Sequence, residues 1–512
     1  MSKQTFYITT PIYYVNGAPH LGHAYTSTAA DALARWNRLE GRDVFFLTGT
    51  DEHGQKVEAA ARAAGVDPQE FTDRVSADFQ DMAKRMNISN DDFIRTTEPR
   101  HKASAQALWR KLQENGAIYL GKYEGWYAVR DEAFYDEEET ALKPDGTRIA
   151  TASGAEVKWV VEPSYFFKLS AFQDKLLAYY EENPGFIAPQ AKRNEILSFV
   201  RGGLNDLSIS RTSFSWGIPV PGDEKHVMYV WLDALQNYLT ACGYPEMNGP
   251  RAHYWPASLH LVGKEIIRFH AVYWPAFLMA AGMPCPERVF SHGWWTVEGE
   301  KMSKSLGNFI DVRPLVDELG LDQVRYFLLR EVPFGNDGDF SRKALIGRIN
   351  SDLANGLGNL AQRTLSFIGK NAGGVVPPRG VLHEADNVLL ELAARLPEKV
   401  KGAMSRIAFH EALDETWKVI RAADAYIDHQ APWTLRKTDT DRMNTVLYVL
   451  ASVLRVVGIV LQPFMPDTMA KLLDQLGQGA DARQLAALHT PLAEGTPLPA
   501  PAGLFPRVVE VA

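Results

Sequence analysis

The chain is poor in cysteine: Cys242 and Cys285 are the only two in 512 residues. That excludes a disulfide framework and points to a reducing compartment. It also excludes a structural zinc site of four cysteines, so no metal site is expected. Unbroken apolar runs are scarce. The most apolar late stretch, residues 446–465, is interrupted by Arg455 and Gln462 and reads as a buried helix, with no membrane attachment expected. A strand pattern starts after Met1-Ser2-Lys3-Gln4, which leaves no room for a signal or transit peptide. Excess positive charge is missing too. A net charge of −8 argues against a nonspecific nucleic-acid coat, though not against a partner held by local basic patches. No internal repeat or long low-complexity segment is present.

What is present suits a multidomain globular protein: 46% hydrophobic and 23% charged residues, and a length that predicts about three domains. Residues 4–115 alternate strand and helix patterns, which predicts a doubly wound parallel sheet with helices on both faces. An apolar run, residues 6–10, leads into PIYYVNGAPHLGHAYT (11–26), and a helical run follows over 24–39. A short buried strand over 44–47 ends at Gly49-Thr50-Asp51-Glu52-His53-Gly54. Polar residues at the carboxyl ends of such strands fall at the ligand crevice, so the two turns should converge. Strand, glycine turn and helix present backbone N–H groups and a positive helix end to phosphate. His20 and His23, with Gly22 between them, suit such an anion. A second basic turn lies far downstream: Lys301 and Lys304 in KMSKS, flanked by Gly299 and Gly307.

HLGH after a first strand and KMSKS after a late one resemble the class I aminoacyl-tRNA synthetases. The segments LTGTDEHGQKV, YVWLDALQNY, VGKEIIRFHAVYWPAFL, HGWWTVEGEKMSKSLGN and RYFLLREVPFGNDGDFS narrow the resemblance to the methionyl-tRNA synthetase family. The resemblance implies five segments. Residues 1–115 and 226–305 form the two halves of a Rossmann-like catalytic domain, the second carrying the KMSKS loop. Residues 116–225 form an inserted connective domain, 306–350 a stem-contact module, and 351–512 an all-α anticodon-binding bundle. Many relatives carry Cys-X-X-Cys zinc knuckles in the insertion. This chain has none, and its acidic run at 136–139 reads as a solvated face.

The implied reaction is ligation of L-methionine to tRNA(Met) through methionyl-adenylate, with ATP as a Mg²⁺ complex. His20, His23, Lys301 and Lys304 are the expected catalytic residues. Gly22, Gly263, Lys264, Glu265 and Ser303 join them around ATP. Glu265 stands where the family often has aspartate. A thioether packs well at aromatic edges. Tyr14, Trp231, Tyr238, Phe269, His270 and Trp274 are expected to build its slot. The resemblance adds Ala234, Leu235 and Ile266, the backbone of Ile12, and Asp51 on the substrate ammonium. On a helical stripe Ile266, His270 and Trp274 lie four apart. Such a slot resists a missing methylene by only roughly 10–200-fold, so homocysteine is the expected competitor. Asn359, Arg363 and Trp433 match the N-L-A-x-R and P-W patterns that read the anticodon in the family. A cytoplasmic monomer is expected. The alternatives are a non-catalytic tRNA-binding relative and a class I synthetase of different specificity; the cysteine enzyme needs a zinc site that is missing here.

Overall fold

The computed structural model describes residues 4–131, 133–297, 299–302 and 308–509. The β-favouring run TFYIT forms strand Thr5–Thr9 near the middle of a seven-stranded parallel sheet. Its order is Ile187–Ala188, Val289–His292, Leu259–Gly263, Thr5–Thr9, Asp43–Asp51 and Tyr13–Tyr14, with Asp92–Arg95 also paired to Asp43–Asp51. Alternation along the strands sorts side chains into two layers. Ile8, Phe46, Leu259 and Leu261 enter the core shared with helix Leu21–Leu39. Tyr7, Phe45, Leu47, Ile94 and Val262 enter the other, with helices Pro99–Glu114 and Trp274–Ala281. This is the doubly wound architecture expected from the alternating pattern.

Several elements depart from expectation. The strand expected at 44–47 runs from Asp43 to Asp51, so Asp51 is its last residue rather than part of a turn. The helix expected from residue 24 begins at Leu21, which puts HLGH itself in the first helical turn. The expected resumption of the sheet at 226 comes too late: Ile187–Ala188 already pairs with Val289–His292. Only the stretch between is separate. There, strands Ile118–Ala128 and Lys158–Phe167 form a long antiparallel pair.

Within that insertion the acidic run is more than a solvated face. Arg148 lies over the Trp126 ring at 4.4 Å. Glu137 receives both the Trp126 indole N–H (2.5 Å) and Arg148 (2.6 Å). Glu139 closes a capping box on Asp136. These contacts surround a four-residue core of Ala128, Ala150, Ala155 and Val157.

The acidic turn at 336–340 also contains structure: Gly338–Phe340 runs parallel to Trp295–Val297. Beyond it, Arg342–Arg348, Ile349–Gly358 and Asn359–Asn371 form one continuous helical rod, widened to π geometry in its middle. Amphipathic periodicity predicts a single helix over about 384–399; the structure has two, Glu384–Ala394 and Leu396–Ser405, because Pro397 suits a new first turn and not a helix interior. Phe409–Gln430 follows. Helix Thr440–Leu461 is long and apolar enough to cross a membrane by composition, but 83% of its most apolar window is buried among its neighbours.

Arg325 ties this helical unit to the sheet. Fully buried, it donates to Asp31 of helix Leu21–Leu39 (2.7 Å), to the Met86 carbonyl, and to the Pro463 and Phe464 carbonyls.

Candidate active site

A cavity of about 390 Å³ opens at the carboxyl ends of the central strands. His20 caps the helix below it. The His20 Nδ1 accepts from the Gly22 N–H (3.0 Å), and His23 Nδ1 accepts from the His20 N–H (3.0 Å). With both Nδ1 atoms accepting, each neutral ring carries its proton on Nε2. The rings lie 3.9 Å apart. Burial, then the neighbouring His20, pushes the His23 pKa well below the usual imidazole value. Gly22 is required here: a Cβ would meet His20 Cε1 at 2.9 Å. Two imidazole N–H donors thus stand at a helix N-terminus, whose dipole favours an anion, a combination suited to phosphate.

Ser303, Lys304 and the side chain of Lys301 lie outside the described residues, as does Gly307. The two ends of their loop do not. Before it, Met302 lines the His20 cavity. After it, Phe309 packs edge-on against His20 at 5.7 Å, and the Ile310 carbonyl accepts from the Leu21 N–H (2.9 Å). Both ends of the basic loop therefore border the HLGH cavity. The acidic turn braces the near end: Asp337 accepts from the Trp294 N–H, and Asp339 from the Gly299 N–H and the Thr296 hydroxyl. Gly293 permits that contact, since a Cβ would fall 2.3 Å from the Asn336 backbone.

The same cavity also has an amphipathic wall. Ile12, Tyr14, Asp51, Trp231, Ala234, Leu235, Tyr238, Ile266 and His270 line it, with Gly263 and Glu265 beside them. His270 Nδ1 donates to the Ile266 carbonyl (3.0 Å), so its Nε2 accepts from the Tyr238 hydroxyl (2.7 Å). Burial pushes the His270 pKa down to about 4 despite that carbonyl, leaving a neutral ring on the wall. Glu265 accepts from the Trp294 indole (2.6 Å).

Three expected site residues lie elsewhere. Phe269 and Trp274 are off the wall: Phe269 stacks face to face on Trp231, and Trp274 is buried behind Tyr238, 6.1 Å away. For Trp274 the reason is a π-helical stretch, Phe269–Tyr273, which adds a residue to the turn and breaks the stripe of Ile266, His270 and Trp274 after His270. Lys264 turns aside to Asp337 (2.6 Å) and over the Trp294 ring. Sequence reading missed Lys56, Asp131, His292 and Trp294 on the wall. Lys56, the cation next after the Asp51–Gly54 stretch, was findable; Asp131 reaches in from the insertion and left no local signal.

In the helical unit, Asn359 is exposed on the rod, and Arg363 stands one turn on. Arg363 bridges to Asp428 and lies 5.5 Å from the centre of the Trp433 ring, which is 41% exposed. Among the described residues no group of three or more His, Cys, Asp or Glu could hold a metal ion.

A pair of imidazoles at a helix start, set at the mouth of a doubly wound sheet with Met302 and Phe309 beside them, defines a catalytic domain of the class I synthetase kind. Residues 6–365 match the family of tRNA synthetases class I (M), and residues 376–511 match the anticodon binding domain of methionyl tRNA ligase. A methionine–tRNA ligase of Brucella suis is 58% identical over 511 residues, spanning 100% of this chain and 99% of the relative. One from Mesorhizobium japonicum is 56% identical over 512 residues, with the same coverage. A solved structure, Mycobacterium tuberculosis methionyl-tRNA synthetase in complex with methionyl-adenylate, superposes with a TM-score of 0.97 at 53% identity, covering 98% of this chain and 100% of that one. The chain belongs to the methionine branch of the class I tRNA synthetases.

Proposed function

We infer that the chain activates L-methionine with ATP and transfers it to tRNA(Met). A methionine carboxylate oxygen attacks the α-phosphorus, the bond to the β-phosphate breaks, and pyrophosphate leaves. The ribose hydroxyl of the terminal adenosine then attacks the adenylate carbonyl, and AMP leaves. Catalysis here is positioning plus charge stabilisation, with no covalent enzyme intermediate. His20 and His23 serve the α-phosphate. Lys301, Ser303 and Lys304 serve the β,γ-phosphates as their loop closes. Mg²⁺ enters as part of the ATP substrate. Asp51 pairs with the methionine ammonium, and Tyr14, Trp231, Ala234, Leu235, Tyr238, Ile266 and His270 receive the thioether. Asn359, Arg363 and Trp433 read the anticodon. The protein works as a cytoplasmic monomer.

The observation that carries this reading is the placement of both ends of the basic loop, Met302 and Phe309, against the cavity of His20. The test is methionine-dependent ATP–pyrophosphate exchange by the purified chain. Exchange is expected with methionine, and His23→Gln should cost about 10²–10³ in kcat if its N–H acts on developing charge. A folded protein that shows no methionine-dependent exchange would refute the reading.

A further inference from the structure

Directly behind the amino-acid slot lies a polar cluster that does not line it. Asp233 Oδ2 accepts from His53 Nδ1 at 2.6 Å, and Oδ1 accepts from His101 Nε2 at 2.7 Å. All three side chains are buried, at 2% exposure for His53 and 0% for the other two. Burying a carboxylate with two imidazoles is a poor route to stability, since apolar residues of similar volume usually do as well. What such a cluster provides is a fixed distance.

The elements it joins are two separate walls of the slot. His53 lies two residues beyond Asp51, which lines the cavity. Asp233 sits in the short helix Val230–Leu235, whose Trp231, Ala234 and Leu235 line the same cavity. The strand side is held rigidly. Glu52 accepts from Arg95 (2.7 and 3.0 Å) and from Thr97 (2.5 Å). Trp216 donates its indole N–H to the Glu52 carbonyl (2.6 Å), and its own carbonyl accepts from the Gly54 N–H (3.0 Å). The helix side has six residues and leans on Asp233, which His101 anchors to helix Pro99–Glu114.

We propose that the His53–Asp233 pair is a positioning device that sets the spacing between the ammonium end and the thioether end of the slot, and so sets its selectivity for side-chain length. This rests on reading the slot as the methionine site. Burial opposes ionisation of Asp233, but His53 and His101 hold its pKa at about 2, so both bonds are charge-assisted at any working pH.

The experiment is ATP–pyrophosphate exchange with the full chain, with KM measured separately for methionine and ATP, and unfolding followed in parallel. His53→Leu should raise the methionine KM about tenfold or more, with kcat and the ATP KM changed less than about twofold. Discrimination against homocysteine should fall with it. His53→Asn, whose amide can offer an N–H near the Nδ1 position, should restore the methionine KM. An unchanged methionine KM in folded His53→Leu, an equal rise in both KM values, or failure of asparagine to rescue would each overturn the proposal. If His53→Leu does not fold, Asp233→Glu decides: it keeps the charge but adds a methylene, and a wild-type methionine KM would refute the ruler. Wild-type protein without methionine-dependent exchange would instead refute the underlying function.

Discussion

At the scale of single residues, the catalytic half depends on imidazoles kept neutral. His260 accepts or shares a proton with the Thr9 hydroxyl at 2.8 Å and faces the Tyr238 ring. Burial, then the nearby His270, drives its pKa well down. Burial also lowers His270, to about 4, and lowers His292 against the opposing pull of the Gly293 carbonyl and Glu265. A folded pKa below the unfolded value of about 6.5 has a definite sign. Above pH 6.5 both states are neutral and the stability is fully present. Below it the unfolded chain takes protons that the fold refuses, so stability drops until the folded pKa is reached. Each such histidine removes up to about 1.4 kcal/mol per pH unit. Asp31 and Asp233, whose pKa values are depressed, contribute stability that is fully present above the ordinary carboxylate range and is lost only as pH falls through and below it, so they leave this window untouched. The unfolding temperature should therefore be flat from pH 8 to about 6.5 and fall steadily to pH 5. Calorimetry across that range checks it, and a flat profile down to pH 5 would mean that these rings are protonated in the fold.

At the scale of elements, helix Leu21–Leu39 must keep its N-terminus, with His20 and His23, at the cavity. Its middle is fastened by Asp31, which Arg325, Arg35 and the Ser89 N–H and hydroxyl all engage. Burial alone would raise the Asp31 pKa; these partners bring it below the ordinary value. Arg325→Met removes one partner and leaves the carboxylate buried beside only the others. Breaking a buried pair in this way costs about 3–5 kcal/mol. Urea unfolding should show a loss of that order, and a loss under 1 kcal/mol would mean that Arg35 and Ser89 suffice. Nothing in the sequence announced Arg325, because its partners lie in three distant segments and pairing at long range leaves no local pattern. The strands, the helix after HLGH and helix Thr440–Leu461 were legible, since periodicity and breakers are local signals. The placement of Trp274 was not legible for the converse reason: a regular stripe of Ile266, His270 and Trp274 was read where a π turn intervenes. The role of the acidic turn, bracing Trp294 and Gly299, was not legible because it is made entirely by contacts with another segment.

At the scale of the whole molecule, one hydrophobic core runs from Ile8 in the central sheet to Leu476 in the helical unit, so the cavity and the Trp433 surface are parts of one body. Their chemistry is separable all the same. Trp433 belongs to no part of the cavity wall, and its exposed ring contributes little to the core. Its neighbours fix its attitude: Arg363 lies over the ring, and Asp428 holds the guanidinium. An exposed ring beside a cation presents a face on which an unpaired base can stack, and such stacking is worth about 1–3 kcal/mol per base by alanine substitution. Trp433→Ala should therefore lower kcat/KM for charging of tRNA(Met) by about 10–100-fold, while methionine-dependent ATP–pyrophosphate exchange stays within about twofold of wild type. The two assays run on one preparation give the ratio directly. If both activities fall together, the indole supports the shared core and not a base, and the reading of this surface as the anticodon site loses its aromatic platform. If charging is untouched, Arg363 and Asn359 recognise the tRNA without it.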